Sequence, residues 1–281
     1  MAANCSEFVG IFSSEARKQG SVERSEVGSY TPYNLLILHN FRSKFCDFAT
    51  KNYFAIGLMK KIPNHLGIIL DGNRRWAKKR NLPVFEGHKK GREVVKKIIK
   101  ASKNKGIKIL TLFVFSTENW KRPKKEVNYI MDLIKTIKDI REIDKQGIRV
   151  VIIGQRERLS KGVQKAIWNI EKITKNNKEM ILNIALSYGG RAEIVEAIKN
   201  IIKKRIPLEK INENIISKNL WTSDLDLIIR TGKEKRISNF LIWQAAYSEL
   251  YFFDKYWPDF TEKDLDKALH EYSPQCRRFG R

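Results

Sequence analysis

Ile62-Pro63-Asn64-His65-Leu66-Gly67-Ile68-Ile69-Leu70-Asp71-Gly72-Asn73-Arg74-Arg75-Trp76, running on to Gly87-His88-Lys89-Lys90-Gly91-Arg92, is the stretch whose reading decides the fold. The short apolar run Ile68 to Leu70 ends in one carboxylate, Asp71; a glycine, an amide, two arginines, a tryptophan and a basic helical stretch follow. That order reads as a buried strand delivering one acid to the mouth of a site lined with anion-binding groups. In an open parallel sheet, ligands bind just beyond the carboxyl ends of the strands, where helix N-termini also collect negative charge. Taken alone, the stretch is equally an ordinary strand-turn-helix with solvated charges.

Downstream the same texture recurs. Val94, Val95, Ile98 and Ile99 mark one face of a helix closed by Gly106, and Ile107 to Phe115 is an almost wholly apolar strand of the kind covered on both faces. Pro123 precedes a helix carrying Val127, Ile130, Met131, Ile134 and Ile137 at helical spacing. Ile148 to Ile153 is a strand, and Val163, Ile167, Ile170 and Ile173 mark a helix. Met180 to Leu186 is a strand stopped by Gly189-Gly190, and Ile194, Val195, Ile198 and Ile202 give the next helix. Leu225 to Ile229 and Glu249 to Phe253 are strands, and Thr261 with Asp264 opens a last helix in the manner of a capping box. Six short strands alternating with helices make one α/β domain with a mainly parallel sheet flanked by helices.

The 281 residues are 42% hydrophobic, enough for a full core, and carry a formal charge of +24, which points to anionic partners. Lysine runs such as Lys96-Lys97 and Lys203-Lys204 read as solvated faces that also suit peripheral contact with an anionic membrane. Cys5, Cys46 and Cys276 are widely separated, which suits free thiols in a reducing, cytoplasmic setting. No apolar run approaches the roughly 18 residues of a spanning helix. Residues 1–58 show weak periodicity and contain Glu7, Glu15, Glu23, Glu26 and Asp47, so they suit neither a secretory signal nor a transit peptide. The texture changes at Met59-Lys60-Lys61-Ile62-Pro63, which makes Met59 a candidate initiator, with the upstream segment either a translated leader or a disordered extension, and 59–281 the folded domain.

The strand ends carry the chemistry. After the first come Asp71, Gly72, Asn73, Arg74, Arg75 and Trp76; after the second, Ser116, Thr117, Glu118, Asn119, Trp120, Lys121 and Arg122. Ser187 to Arg191 follow the fourth strand, and Arg230 to Ser238, with Arg236 and Ile237 among them, the fifth. Arginine forks pair with phosphate oxygens, and hydroxyls and glycine amides fill the remainder. Asp71 and Glu249 are hard oxygen donors, and magnesium held with a diphosphate needs only one or two such ligands. The rim therefore suits a diphosphate, or two. Neither Gly-x-x-x-x-Gly-Lys-Ser/Thr nor Gly-x-Gly-x-x-Gly is present, which argues against nucleoside triphosphatases and dinucleotide enzymes. Nucleic acid is not an expected partner, because the arginines gather at strand ends among carboxylates rather than along a basic stripe with interleaved aromatics.

His65 to Trp76, Gly87 to Gly91, Phe115 to Pro123, Leu186 to Arg191, Asp226 to Gly232, Arg236 to Gln244, Glu249 to Phe252 and Trp257 to Phe260 together, in that order and spacing, resemble the cis-prenyltransferases of the undecaprenyl diphosphate synthase type. The resemblance spans about residues 60–281. It implies an α/β homodimer with an apolar tunnel that adds isopentenyl diphosphate to an allylic diphosphate such as farnesyl diphosphate, with magnesium. The product implied is a cis-polyprenyl diphosphate, a lipid-carrier precursor for cell-wall or glycan synthesis. By the same resemblance Asp71 is catalytic and a metal ligand, Glu249 is a second metal ligand, and Asn119 stands where a proton acceptor is proposed. Gly72, Asn73, Arg74 and Arg75 cradle the allylic diphosphate, with Trp76 and His88 nearby. Ser116, Thr117, Glu118, Trp120 and Arg122 position substrate, and Arg230, Arg236, Ile237 and Ser238 hold isopentenyl diphosphate.

A neutral amide is a poor general base at pH 7, so Asn119 is better suited to orienting substrate while a diphosphate oxygen takes the proton. Several positions depart from the family pattern: Arg74 where many relatives have glycine, Val84 where an arginine is usual, and Lys233 and Lys235 where Gly and His recur. Arg278-Phe279-Gly280 matches an ending that reaches across the dimer. The alternative is a non-catalytic partner subunit of the same fold, a class that typically loses the acid Asp71 retains. Apolar spacing from Val127 to Ile137 suits a tunnel wall or an ordinary core, and His39, His65 and His270, like Trp243, Tyr247 and Trp257, read as structural.

Overall fold

The computed structural model describes residues 62–135 and 140–272. Met59, the three cysteines, His39, Ile137 and the Arg278-Phe279-Gly280 ending lie outside them.

Strands β1 (His65–Ile69), β2 (Ile109–Ser116), β3 (Ile148–Ile153), β4 (Met180–Tyr188), β5 (Leu227–Arg230) and β6 (Glu249–Phe252) join in the order β3-β4-β2-β1-β5-β6. Every pairing is parallel, so the expected six-stranded sheet is parallel throughout. From β1 the chain builds first to one side through β2 and later to the other through β5. The order therefore reverses at β1, the place where an open sheet leaves a crevice beyond its carboxyl ends. Every β1 residue is buried, beginning three residues earlier than the apolar run suggested. Gly67 is required there, since a Cβ would come within 2.6 Å of Leu225 and 2.9 Å of Phe240.

Eight helices accompany the sheet among the described residues: α1 (Asn73–Lys79), α2 (Val84–Asn104), α3 (Lys124–Lys135), α4 (Ile140–Lys145), α5 (Lys161–Thr174), α6 (Gly190–Lys203), α7 (Glu213–Asn219) and α8 (Glu262–Tyr272). Alternation along the strands divides the core into two faces. Leu66, Ile68, Leu227 and Ile229 pack with α2, α3, α5 and α8, whereas Ile69, Ile228 and Tyr188 pack with Phe240 and Leu241. Pro123 opens α3, its carbonyl accepting from the Glu126 and Val127 amides, and Thr261 and Asp264 cap α8 reciprocally.

The short helices α4 and α7 carry too few periodic apolar positions to announce themselves. In α6 the apolar reading needs correction as to face. Val195, Ile198 and Ile202 are 51%, 46% and 69% exposed, while Glu193, Ala197 and Ile201 are buried. The inward face of α6 is occupied by a hydrogen-bonded acid, Gly190, Ala197 and Ile201, so the stripe Val195, Ile198 and Ile202 looks outward.

Candidate active site

Asp71 lies just past the end of β1. Its amide donates to the Ile69 carbonyl at 3.0 Å, and its own carbonyl accepts from Thr231 Oγ1 at 2.8 Å and the Trp257 amide at 2.9 Å. Gly72 then takes φ 105°, where a Cβ would also meet the Tyr256 ring at 2.7 Å. That left-handed residue starts α1 and turns Arg74 and Arg75 back to the same mouth.

Asp71 Oδ2 accepts from Arg230 Nη2 at 2.9 Å and pairs with Arg75 Nη2 at 3.1 Å. No hydrogen bond to its Oδ1 comes from the described residues. Arg230 ends β5 in register with Ile69 and is only 5% exposed. Its Nη1 donates to Ser238 Oγ at 2.7 Å and to the Arg236 carbonyl, while its buried Nε has no partner. A buried donor without an acceptor marks a place for a ligand oxygen or water. Glu234 bridges Arg75 and Arg236, each at 2.8 Å. Burial opposes the charge on Arg75, but Asp71 and Glu234 outweigh it and raise its pKa.

A second cluster stands across the mouth. Glu126, on the first turn of α3, accepts from His88 Nε2 and Arg122 Nη1, both at 3.1 Å, and pairs with Arg74 Nε at 3.6 Å. Burial lowers the His88 pKa, with Glu126 working against it. His88 is then neutral at pH 7, and donation to a carboxylate places its proton on Nε2. Glu126 was not singled out in the sequence. Its signal was the four-residue spacing from Arg122, which stands just before the helix.

Beyond β2 the Asn119 side-chain oxygen accepts from the Ser116 amide at 3.2 Å, closing a short capping box. That bond occupies the atom a base would use. Burial works against the charge of Glu118, yet its own amide and hydrogen bonds from Ser116, Asn239 and Thr117 hold its carboxyl below the usual range.

These groups surround a cavity of about 1240 Å³. Asp71, Gly72, Asn73, Arg74, Arg75, His88, Ser116, Glu118, Asn119, Arg122, Arg230 and Ser238 all line it. Its deeper walls are mainly apolar: Val95 and Ile99 from α2, Val114 from β2, Ile130, Leu133 and Ile134 from α3, and Leu182 and Ile184 from β4, with Lys100, Glu142 and Gln146 also in the lining. Tyr188 is level with Ser116 at the mouth, and from Leu182 to Tyr188 the strand climbs roughly 20 Å. The cavity is thus a deep apolar slot with a cationic opening, placed as the α3 spacing allowed.

Six expected residues are not in its walls. Trp76 Nε1 donates to Asp259 at 2.7 Å and its ring lies under Arg80. Trp120 packs edge-on against Phe115 and donates to Ser187 Oγ at 2.9 Å, bracing β2 against β4. Thr117 supports Glu118 from behind, Ile237 packs against the second core face, and Arg236 is held at the rim by Glu234. Glu249 stands apart from Asp71 within the chain. It opens β6 beside Leu227, three residues before Arg230, which sets it about 10 Å down the sheet from the strand end Asp71 follows. Magnesium ligands sit at about 2.1 Å from the ion, so these two carboxylates of one chain cannot share it. The Gly189-Gly190 loop is also corrected as a source of phosphate-binding amides. The Gly190 and Arg191 amides are already taken by Asn239.

Among the described residues Asp71 fits magnesium chemistry: a hard carboxylate with an open oxygen beside cations that would hold a diphosphate. The described residues contain no cluster of three or more His, Cys, Asp or Glu side chains suited to a metal held by protein alone.

Residues 69–280 match the family model described as "Putative undecaprenyl diphosphate synthase". The chain belongs to this family. An isoprenyl transferase of Streptococcus thermophilus is 47% identical over 236 residues, covering 79% of this chain and 95% of the relative. A Legionella pneumophila "Ditrans,polycis-undecaprenyl-diphosphate synthase ((2E,6E)-farnesyl-diphosphate specific)" is 45% identical over 229 residues, covering 78% and 96%. Among solved structures, lavandulyl diphosphate synthase from Lavandula x intermedia, in complex with dimethylallyl diphosphate, superposes with a TM-score of 0.75 at 37% identity, covering 78% of this chain and 99% of that one. A "probable undecaprenyl diphosphate synthase" from Campylobacter jejuni gives 0.68 at 34% identity, with the same coverage. This prenyltransferase is an enzyme of the isoprenyl transferase class, with the family's fold and a cis-prenyltransferase's polyprenyl diphosphate chemistry. No described helix is long and apolar enough to cross a membrane.

Proposed function

We propose that the enzyme condenses isopentenyl diphosphate with an allylic diphosphate such as farnesyl diphosphate, building a cis-polyprenyl diphosphate that serves as a lipid-carrier precursor for cell-wall or glycan synthesis. The observation that carries this reading is Asp71 held between Arg75 and Arg230 at the mouth of a deep apolar cavity. The allylic diphosphate is held by the Gly72–Arg75 turn with Arg122 and His88 near, and its hydrocarbon tail lies along Val95, Ile99 and Ile134. Isopentenyl diphosphate is held by Arg230 and Ser238, with Arg236 at the rim.

The allylic carbon–oxygen bond breaks as the new carbon–carbon bond forms, and a proton leaves the isopentenyl unit. Arg74, Arg75 and Arg122 stabilise the charge on the departing diphosphate, which is preorganised electrostatics in a partly dry site. Magnesium held by Asp71 would supply further neutralisation of that charge. The proton goes to a diphosphate oxygen, because the Asn119 oxygen is engaged by the Ser116 amide. The apolar walls take the lengthening chain out of water, with a gain of about 0.8 kcal/mol per buried methylene.

The catalytic reading is preferred to a non-catalytic partner subunit because the acid and its arginines are intact. Purified protein incubated with farnesyl diphosphate, labelled isopentenyl diphosphate and magnesium should yield extended prenyl product, and chelator should abolish it. A folded preparation giving no extended product would refute the assignment.

The proposed assembly is a homodimer, supported by the outward stripe Val195, Ile198 and Ile202 and by exposed Leu250 on the edge strand β6 with exposed Tyr247 just before it. Residues 1–58 are proposed to be an extension dispensable for catalysis, so a chain starting at Met59 should retain full activity. The enzyme is proposed to work in the cytoplasm at the surface of an anionic membrane, and sedimentation with acidic vesicles tests that contact.

A further inference from the structure

Asn239 was not among the expected site residues, yet it lines the cavity beside Ser238. It adopts φ 63°, a left-handed conformation that asparagine tolerates better than most residues. Three of its groups reach other strand ends. Its carbonyl accepts from the Gly190 amide at 2.8 Å, its Oδ1 accepts from the Arg191 amide at 3.0 Å, and its Nδ2 donates to Glu118 Oε1 at 3.3 Å. The fit around this amide is close. A Cβ on Gly189 would stand 2.8 Å from Asn239 Nδ2 and 2.7 Å from Thr117 Oγ1.

We infer that Asn239 is a positioning residue of the diphosphate site, locking the loops after β2, β4 and β5 together and fixing the Glu118 carboxylate in the cavity wall. The inference rests on the reading of this cavity as the diphosphate site.

The chemistry at this position needs an acceptor and a donor on one short side chain. The start of α6 offers amide N–H groups that require an acceptor, and Glu118 is a carboxylate that requires a donor. A primary amide gives both without a charge, on two separate atoms that face the two partners at once. Because Asn239 saturates the first amides of α6, substrate phosphates are left to the arginines, and the β4 loop acts through Asn239 instead of directly. Asp71, Glu142, neutral His88 and the cations Arg74, Arg75, Lys78, Arg92, Lys96, Lys100, Arg122 and Arg230 are the other charged or titratable groups sharing the wall.

Asn239→Asp is nearly isosteric and gives a signed test. When protonated, the new carboxyl donates to Glu118 as the amide did. When ionised it sets two carboxylates against each other, which repel and displace Glu118. With the full-length chain, farnesyl diphosphate and labelled isopentenyl diphosphate, the ratio of variant to wild-type kcat/KM should fall by about tenfold or more between about pH 5.5 and pH 8. Any protonation of His88 is common to both proteins and cancels in the ratio. Asn239→Gly removes both side-chain bonds while relieving the left-handed backbone, and should lose activity evenly across pH at an unchanged thermal midpoint. Gly189→Ala, at φ values any residue adopts, should reproduce that loss by displacing the amide.

A flat Asn239→Asp ratio, or an Asn239→Gly or Gly189→Ala protein turning over at the wild-type rate, overturns the inference. If Asn239→Asp does not fold, the two neutral variants decide the matter alone. A folded wild-type chain that makes no prenyl product overturns the underlying reading instead, so the two failures are told apart.

Discussion

Replacing Asp71 by asparagine tests the centre of the site, because shape is kept and one charge is removed. Asp71 Oδ2 serves Arg230 at 2.9 Å and Arg75 at 3.1 Å. Arg230 is 5% exposed and keeps its bonds to Ser238 and the Arg236 carbonyl, so it is not stranded. Losing one charged acceptor for a largely buried guanidinium costs about 1.5 kcal/mol, at the low end for hydrogen bonds to charged groups. The Arg75 contact, with both partners well exposed, adds little. For a domain of this size that corresponds to a drop of about 4 °C in thermal midpoint. Catalysis should suffer more than folding. Removing one preorganised electrostatic group typically costs about 10²–10³ in kcat. Single-turnover extension of farnesyl diphosphate with labelled isopentenyl diphosphate, beside calorimetric unfolding, reads both numbers. A variant that extends the chain within threefold of the wild-type rate, or one too unstable to fold, would show that the carboxylate is not there mainly for chemistry.

Further expectations follow from other parts of the molecule. Burial pushes His65 down to about 4, with hydrogen bonds to the Asp224 and Ser223 carbonyls only partly offsetting it, so this ring folds neutral. Its contribution to stability is complete above about pH 6.5 and is lost as pH falls towards 4, worth about 3 kcal/mol in all. Urea unfolding across that window should therefore be steeper in pH for the wild type than for His65→Gln, and parallel slopes would discount the effect. Leu133→Trp puts a large ring into the apolar wall and should shorten the products on chromatography while the first condensation keeps most of its rate. Ile198→Asp, at a position 46% exposed, should leave the folded monomer intact and lower the molar mass seen by sedimentation equilibrium, whereas an unchanged mass would move the interface elsewhere.

The run Ile68 to Leu70 with Asp71 after it was readable because a strand buried on both faces must be continuously apolar, and because Gly72 and the arginines break that pattern abruptly. The later strands were found by the same logic, although the fifth runs Leu227–Arg230 and so includes Arg230, which the sequence placed in the loop after Ile229. Orientation was harder. Val195, Ile198 and Ile202 have the spacing of a core face, but Glu193 takes the inside because Tyr188, Gln244 and the Trp221 amide all bond to it. Trp76 and Trp120 stand among site residues in the chain, yet their indole N–H groups find partners away from the cavity, at Asp259 and Ser187.

By itself the sequence determined an alternating α/β chain, a parallel sheet and a set of strand ends rich in arginine, hydroxyl and carboxylate. It could do so because hydrophobic period and charge are local properties of a segment. Only the tertiary structure decided which of those groups meet. Parallel register puts Asp71 against Arg230 and carries Glu249 to the far end of its strand, and the joining of Glu118 to Asn239 and of Glu126 to His88 depends on segments far apart in the chain. Such contacts follow from strand order and crossover, and no stretch of neighbouring residues encodes them alone.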